Sequence, residues 1–357
     1  MEKRLFKKPS IRDVAKRAEV SATTVSHVVS GTPGYSAETI KRVREAIAAL
    51  NYVPSYAANA LRQRATRTIG VCATDPFVAK GRDSGSFSDR LWAGILAEAD
   101  ANRYKVMHFP ESIRASEDTG EFLNGQIDGL IMCANRYDRR PETLARAGLP
   151  VVMVARKYDI PDGVATVAIE ESQVILAALQ HLESLGHREI AYVAGPAYDT
   201  EDTEEPPKSY DDVARARLET YLEWCATRGY APRYFVSRGW EPESLTDTIR
   251  AWHADPPLTA VLGASDTFAR EVLSAAKELG IAVPGDLSVI GIDNDQDAAL
   301  SDPPLTTLEV PIYDVGRQAV RALLGLLAGD ALPTSHPHHL APVLVSRRST
   351  GPCPRNP

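Results

Sequence analysis

Cysteine, methionine and tryptophan are all scarce in this chain of 357 residues, which contains four of each. So few thiols exclude a disulfide-stabilised scaffold, and their scattered positions lack the spacing of a zinc or redox motif. We therefore expect reduced thiols in a cytoplasmic protein, with the first three filling core space as small apolar side chains. The cysteines are Cys72, Cys133, Cys225 and Cys353.

Long apolar runs are also missing. No stretch of about 18 apolar residues occurs, so the sequence predicts no membrane-spanning helix. The first eight residues carry a basic cluster with no apolar segment behind it, so we expect no secretory signal. That cluster consists of Lys3, Arg4, Lys7 and Lys8.

Catalytic and phosphate-binding motifs are absent as well. The sequence has no Gly-x-Gly-x-x-Gly loop, P-loop or nucleophile elbow, so we expect neither an enzyme nor a cofactor. One histidine cluster, His336, His338 and His339, has a residue type that metals prefer. Because Pro337 interrupts it, an exposed loop is the favoured interpretation, and no metal site is predicted.

The charge is divided unevenly along the chain. The whole sequence carries a net charge of −7, yet residues 1–64 hold 12 Lys and Arg against five Asp and Glu, a balance of +7. The remainder therefore carries −14. A basic head on an acidic body indicates an anionic partner at one end of the molecule.

Residues 10–32 within this basic head are predicted to form two short helices joined by a tight turn. Ser10 can cap the first helix, with Asp13 completing a short variant of the capping box, and Ser21 can cap the second. A third helix is predicted from Ser36 to about Leu50. The first helix has a buried stripe of Ile11, Val14, Ala15 and Ala18.

The second helix turns its valines inward and leaves small polar side chains outside. Hydroxyls and an imidazole on the outer face of a short helix suit the base edges and phosphates of duplex DNA. The alternative is an ordinary amphipathic helix pair, which periodicity alone would favour. The inward residues are Val25, Val28 and Val29; the outward residues are Ala22, Thr23, Ser26 and His27.

Three motifs in order and spacing decide between these alternatives. They are Ile-Arg-Asp-Val-Ala-Lys-Arg-Ala from Ile11, Val-Ser-Ala-Thr-Thr-Val-Ser-His-Val from Val20, and Tyr-Val-Pro-Ser-Tyr-Ala-Ala-Asn-Ala-Leu-Arg from Tyr52. The run from Ile11 to Gly70 resembles the DNA-binding headpiece and hinge of the lactose/galactose repressor (LacI/GalR) family. The resemblance implies a homodimeric transcriptional repressor that binds a palindromic operator.

The recognition helix is similar to that of the purine-repressor branch, which also has histidine at the position of His27. The resemblance implies that Thr23 and His27 contact base edges, that Ala22 packs near a thymine methyl or sugar, and that Thr24 and Ser26 contact phosphate. A single histidine cannot donate two hydrogen bonds to guanine as arginine does. Further DNA contacts are expected at Ser10, Ser21, Tyr35, Asn51 and Tyr52.

The hinge is predicted to be a helix too short to be stable alone, ordered only on DNA. The resemblance implies that Leu61 of each subunit inserts into the minor groove and kinks the duplex, an established way of bending DNA. Ala57 and Ala58 are small enough for two hinge helices to approach. Glu19 is a departure, since many relatives have glycine or asparagine there.

The body from residue 68 onward alternates strand-like and helix-like segments, which predicts parallel sheets flanked by helices. The strands are too many for one doubly wound unit, so we predict an all-α helix-turn-helix headpiece followed by an α/β body of two doubly wound lobes. The resemblance implies the periplasmic-binding-protein type. The expected domains are 1–50 (headpiece), 51–67 (hinge and linker) and 68–357, with lobes at about 68–157 plus 296–315 and 158–295 plus 316–357.

Predicted body strands are Thr68–Ala73, Tyr104–Phe109, Asp128–Cys133, Val151–Ala155, Ile190–Ala194, Ala260–Gly263 and Ser288–Ile292. Predicted body helices include Asp89–Ala101, Ser172–Gly186, Asp212–Arg228 and Thr267–Gly280.

A cleft between the lobes is expected to bind a small-molecule effector. The resemblance places Arg217, Asp293, Trp240, Ser265 and Phe87 in it. Plainer alternatives are a surface helix position for Arg217 and a core position for Trp240. Asp266 is expected to cap a helix rather than touch ligand.

Several departures from the family pattern lie near this cleft. Glu170 and Glu171 replace a usual Asp-Asn pair, Ala155 replaces a frequent aspartate, and Thr220 replaces a usual glycine. The expected effector is a sugar or sugar derivative. Alternatives are a purine-type corepressor and, less favoured, a solute-binding protein without a regulatory role.

Overall fold

The structure, a computed structural model, contains two compact units, Met1–Thr66 and Arg67–Pro357. It describes residues 9–53, 65–73, 87–110, 118–133, 138–154, 159–196, 212–238, 244–254, 258–331 and 341–354.

The first unit is built from three helices, α1 (Ile11–Ala18), α2 (Ala22–Val29) and α3 (Ala37–Ala49). They pack against one another because each contributes apolar side chains at helical spacing. The small core consists of the buried residues Val14, Ala15, Ala18, Val25, Val43 and Ala46. Val28 and Val29 are partly buried against it.

Serine side chains cap all three of these helices. Asp13 accepts at Oδ2 from the Ser10 main-chain nitrogen at 2.8 Å, while Ser10 Oγ accepts from the Asp13 nitrogen at 3.4 Å. The predicted capping box is therefore confirmed. Ser21 and Ser36 accept from the nitrogens of Thr24 and Thr39 at 3.0 and 3.2 Å. Each cap satisfies a main-chain donor that a helix start leaves unpaired.

The second unit contains two sheets. The first sheet has the parallel order β2-β1-β3-β4-β5. Its strands are β1 (Thr68–Cys72), β2 (Lys105–His108), β3 (Gly129–Met132), β4 (Val151–Val154) and β5 (Ala165–Val167). Strands β1, β3 and β4 are buried throughout, as expected of a parallel sheet covered on both faces.

The second sheet has the order β11-β10-β9-β8-β6-β7. It is parallel except for β11, which pairs antiparallel with β10. Its strands are β6 (Ile190–Ala194), β7 (Arg233–Val236), β8 (Ala260–Gly263), β9 (Ser288–Ile292), β10 (Thr306–Glu309) and β11 (Val343–Val345).

Helices alternate with these strands, which confirms the predicted two-lobed α/β architecture. They are α4 (Phe87–Ala101), α5 (Arg140–Arg146), α6 (Glu171–Ser184), α7 (Asp212–Arg228), α8 (Thr246–Ala254), α9 (Asp266–Glu278), α10 (Gln296–Leu300) and α11 (Ile312–Ala328).

The predicted lobe boundaries are wrong at two places. Strand β5 pairs with β4 in the first sheet, so the first lobe extends past residue 157. Strand β10 pairs with β9 in the second sheet, whereas α11 packs on α4, β3, β4 and β5 of the first lobe. The chain therefore returns to the first lobe through α11 and leaves it again before β11.

Two glycines bring α4 and α11 into close contact. A Cβ on Gly94 would collide with the main-chain oxygen of Tyr313, and one on Gly316 would collide with that of Leu91. The two helices can therefore cross at this distance only because both positions lack a side chain. This packing anchors the returning helix to the first lobe.

The predicted strands are confirmed to within one residue at each end, and the four named body helices to within two. No bounds were predicted for four strands: Ala165–Val167, Arg233–Val236, Thr306–Glu309 and Val343–Val345.

Candidate functional site

The outer face of α2 presents the polar side chains that the sequence predicts. Thr23 is exposed, and Thr24, Ser26 and His27 are partly exposed. Ala22 differs from expectation, because it is partly buried against the headpiece core rather than lying wholly on the outer face. The described surface is therefore polar around Thr23 and His27.

The imidazole of His27 is held by Tyr35. Its Nδ1 lies 2.7 Å from the Tyr35 hydroxyl, and the ring centroids are 6.0 Å apart. If the hydroxyl donates to Nδ1, Nε2 carries the proton and can donate to guanine N7 or O6; in the other tautomer Nε2 accepts. Tyr35 thus orients the His27 ring and leaves Nε2 as the nitrogen without this contact, a role that the sequence did not reveal.

The remaining headpiece candidates have structural roles that are visible in the fold. Ser10 and Ser21 are the exposed helix caps described above. Asn51 follows α3 with φ of 47°, a left-handed conformation that asparagine tolerates better than most residues, and it is exposed. Tyr52 packs partly against the core. Glu19 ends α1 with φ of 53°, which explains why glycine or asparagine suits this position.

Several predicted site residues lie outside what the structure describes. These are the hinge residues Ala57, Ala58 and Leu61, the cleft candidate Trp240, and the histidine cluster His336, His338 and His339. Phe87 is the first residue of α4, and its side chain is outside the described set.

Arg217, on α7, lies inside the second lobe. Its Nε donates to Glu171 Oε2 at 2.7 Å, and its Nη1 donates to the Ala264 main-chain oxygen at 2.5 Å. The side chains of Arg217 and Glu171 are 6% and 8% exposed. The surface-helix interpretation of Arg217 is therefore wrong. Although burial opposes it, the neighbouring carboxylates of Glu171 and Asp293 raise the pKa of Arg217, so it is cationic.

Asp293 follows β9 at the same sheet edge where Ala264 and Ser265 follow the neighbouring strand β8. Its φ is 110°, an unusual value for a residue with a side chain and one that is often found at ligand-binding sites. Desolvation raises the pKa of Asp293 to about 7, and the charge of Arg217 opposes that rise. Ser265 is buried beside it and makes no side-chain capping bond.

Arg90 was missed by the sequence analysis and joins the two lobes. It stands in the first turn of α4 in the first lobe, and its Nη1 donates to the Asp293 main-chain oxygen at 2.6 Å. Its Nη2 donates to the Asn294 main-chain oxygen. No local pattern signals this contact, because the partners are 203 residues apart.

Asp266 has a structural role different from the cap expected of it. It is the first residue of α9, and Ser265 holds the cap position. Its Oδ2 accepts from the Asp295 nitrogen at 2.8 Å, and its Oδ1 accepts from the Thr307 hydroxyl at 2.5 Å. Burial raises the pKa of Asp266 to about 8. This carboxyl ties β10 to the loop after β9.

The geometry thus combines a helix-turn-helix headpiece with polar side chains grouped at strand ends of the second lobe. Family comparisons match both parts. Residues 10–55 match the model of bacterial regulatory proteins of the lacI family. Residues 77–207 match the model of periplasmic binding proteins and the sugar-binding domain of the LacI family, and residues 179–350 match a periplasmic binding protein-like domain.

Curated relatives extend the match over most of the chain. The HTH-type transcriptional repressor PurR of Glaesserella parasuis serovar 5 is 31% identical over 327 residues, covering 88% of this chain and 89% of the relative. The chain belongs to the lacI family. Catabolite control protein A of Priestia megaterium is 29% identical to this lacI-family chain, with 91% and 95% coverage, and the repressor CytR of Escherichia coli K12 is 28% identical, with 90% of each covered.

Solved structures are similar over nearly the whole length of this chain. The lac repressor dimer bound to operator and the anti-inducer ONPF has a TM-score of 0.77 and 26% identity, covering 97% of this chain and all of that one. The regulator CelR in complex with cellobiose has a TM-score of 0.64 and 27% identity, with 96% and 99% coverage.

Among the described residues, no helix is long and apolar enough to cross a membrane. In the same set of residues, no group of three or more His, Cys, Asp or Glu side chains is arranged to hold a metal ion. PurR and CytR are both HTH-type transcriptional repressors.

Proposed function

We propose that this lacI-family chain is a sequence-specific transcriptional repressor that binds a palindromic operator as a homodimer. The observation that carries the proposal is the face of α2, where exposed Thr23 and a tyrosine-oriented His27 lie on a serine-capped helix of a basic headpiece. The second helix of such a motif enters the major groove with its N-terminal residues towards the bases. The dimer in the operator-bound lac repressor structure supports the oligomeric state.

The headpiece residues divide into two proposed groups. Thr23 and His27 contact base edges, and His27 does so through Nε2 because Tyr35 occupies Nδ1. The rest position the helix on sugars and phosphates: Ser10, Ser21, Ala22, Thr24, Ser26, Tyr35, Asn51 and Tyr52. The hinge residues Ala57 and Ala58 approach those of the second subunit, and Leu61 acts as the minor-groove wedge.

We propose further that a small molecule bound between the lobes controls operator affinity. Arg217, Ser265 and Asp293 form the described part of the site, and Phe87 and Trp240 complete it. The cellobiose complex of CelR favours a sugar, and a purine-type corepressor remains the alternative. The molecule acts only through its different affinity for the operator-bound and free forms.

The location and chemistry follow from this role. We propose that the protein works in the cytoplasm, associated with the nucleoid when bound to DNA, and catalyses no reaction. It needs no cofactor for binding DNA or effector.

Fluorescence anisotropy with labelled genomic fragments tests the proposal. The full chain is expected to bind a palindromic fragment. One metabolite from a panel of sugars, nucleobases and nucleosides is expected to shift the affinity of the chain for that fragment. Arg217→Ala and Asp293→Ala are expected to abolish that shift while keeping operator binding. A normal shift in both variants would place the effector elsewhere.

A further inference from the structure

The guanidinium of Arg217 is already hydrogen-bonded to a carboxylate of the same chain, that of Glu171. Glu171 accepts from Nε at 2.7 Å, and both side chains are more than nine-tenths buried. The Ala264 main-chain oxygen accepts from Nη1 at 2.5 Å. The charge of Arg217 and two of its donors are therefore satisfied within the protein.

The carboxylate of Asp293, unlike that of Glu171, is not hydrogen-bonded to an arginine among the described residues. It accepts no hydrogen bond from the described residues; Arg90 bonds to the main-chain oxygen of Asp293 and not to its side chain. It lies half-buried at the end of β9 on a backbone with φ of 110°. A carboxylate in this position can accept from two or more ligand donors.

The hydroxyl of Tyr192 is a third polar group in this region. Tyr192 stands in the middle of β6, is fully buried, and its hydroxyl has no hydrogen-bond partner among the described residues. Its ring packs on Tyr221 with centroids 5.3 Å apart, which fixes its direction. The charges of Arg217 and Glu171 act on this hydroxyl. A buried hydroxyl without a partner favours a bound group that can hydrogen-bond to it.

We infer that Glu171 is a specificity-determining residue that excludes anionic ligands from the cleft, so that the effector is a neutral or cationic molecule donating hydrogen bonds to Asp293. The inference deepens the proposed function and rests on it. At the Arg217 guanidinium, a ligand phosphate or carboxylate would meet the carboxylate of Glu171 and an arginine whose charge is already paired. The Arg90 cation lies next to Asp293, where it donates to main-chain oxygens. A ligand hydroxyl or amine would instead meet the Asp293 carboxylate, which can accept it.

This charge arrangement limits the chemical classes to which the effector can belong. Free sugars, polyols, amino sugars and nucleosides satisfy it, whereas sugar phosphates, sugar acids and nucleotides do not. The remaining contacts of the cleft would decide which stereoisomer of such a molecule binds.

Thermal unfolding of the full chain with increasing inorganic phosphate, at constant ionic strength, tests the inference. Glu171→Gln keeps the size of the side chain but removes its charge, which leaves Arg217 free to bind an anion. We expect the apparent phosphate affinity of this variant to exceed that of the wild type by roughly tenfold or more, as a charge-assisted hydrogen bond predicts. Glu170→Gln is the matched control, since Glu170 accepts from the Ser172 hydroxyl; its phosphate response is expected to equal that of the wild type.

Two results would overturn the inference. One is an equal phosphate response in wild type, Glu171→Gln and Glu170→Gln. The other is stabilisation of the wild type by phosphate or glucuronate that Arg217→Lys removes. Should Glu171→Gln fail to fold, Glu171→Asn replaces it with the same expected gain, and the wild-type titrations stand by themselves as a test of anion exclusion.

The outcome is separable from that of the proposed function. Operator binding that responds to no small molecule would contradict effector control while leaving the phosphate comparison intact. Failure of Glu171→Gln to gain anion affinity would contradict only the role of Glu171.

Discussion

The Nη1 of Arg90 donates to the main-chain oxygen of Asp293 at 2.6 Å, joining the first lobe to a strand end of the second. The same guanidinium also donates to Asn294, which like Asp293 has a positive φ. A first-lobe side chain thereby holds the backbone of the residue proposed to bind effector. Effector binding at Asp293 and the relative position of the lobes are therefore expected to be coupled.

Replacing Arg90 with methionine tests this contact. Arg90→Met removes two charge-assisted hydrogen bonds, and we expect the free energy of unfolding of the full chain to fall by about 2 kcal/mol. Urea unfolding followed by tryptophan fluorescence measures the change. Arg188→Met is the control, because Arg188 is exposed and makes no hydrogen bond to the described residues. An equal effect of both substitutions would show that the interlobe contact contributes nothing.

The recognition face of α2 gives a second prediction. Thr23→Ala and His27→Ala are each expected to weaken operator binding roughly ten- to hundredfold, as loss of a base contact predicts, while effector binding to the body is unchanged. Footprinting measures operator binding, and calorimetry measures effector binding to the body. Unchanged footprints would show that these side chains do not contact bases.

The bond between His27 and Tyr35 gives a sharper version of that test. Tyr35→Phe keeps the ring but removes the hydroxyl that holds Nδ1, and we expect about a fivefold loss of operator affinity from a less well-oriented imidazole. Anisotropy titrations measure it. Tyr313→Phe, at a partly exposed tyrosine of the body, is expected to bind operator like the wild type. In a His27→Ala background, Tyr35→Phe is expected to lose most of its effect; an undiminished effect would mean that Tyr35 acts independently.

The left-handed conformation of Glu19 predicts a stabilising substitution. Glu19→Gly relieves a φ of 53° and is expected to stabilise the headpiece by about 1 kcal/mol, and to raise DNA affinity by removing a negative charge. Hydrogen exchange of headpiece amides in the full chain reports the first effect. Glu45→Gly, within α3, is expected to destabilise by about the same amount because glycine is unfavourable inside a helix. Faster exchange in both variants would contradict this account of Glu19.

The raised pKa of Asp266, about 8, predicts a pH dependence of stability. Between about pH 4 and 8 the native carboxyl is protonated while the unfolded one is ionised, so its contribution is present at low pH and is lost as pH rises through about 8. The expected slope is up to about 1.4 kcal/mol for each pH unit in this window. Asp266→Asn cannot ionise, so urea unfolding from pH 5 to 9 is expected to show a smaller decline than the wild type. Parallel curves would contradict the assignment.

The sequence predicted those parts of the fold that depend on neighbouring residues. The headpiece helices were predictable because caps such as Ser10 and stripes such as that of α1 lie within a few residues of one another. Strands β5 and β11 are three residues long, too short for a recognisable pattern. The lobe boundaries failed for another reason: α11 is assigned to the first lobe by packing through Gly94 and Gly316, which no local pattern records.

The site shows the same division. The family resemblance named Arg217 and Asp293 as candidates, and the structure places both in the second lobe. The pairing of Arg217 with Glu171, 46 residues away, and the contact of Arg90 with Asp293 were not predictable, because each depends on how distant elements meet. Both contacts change the chemistry expected of the cleft.

We propose that the headpiece binds duplex DNA and that the body controls this binding. The affinity of the full chain for labelled genomic fragments, measured at low ionic strength with and without a metabolite panel, tests both statements together. We expect nanomolar-range binding of a palindromic fragment, weakened in Thr23→Ala and shifted by one metabolite. Failure to bind any fragment preferentially, whether or not metabolites are present, would show that the chain is not a DNA-binding regulator.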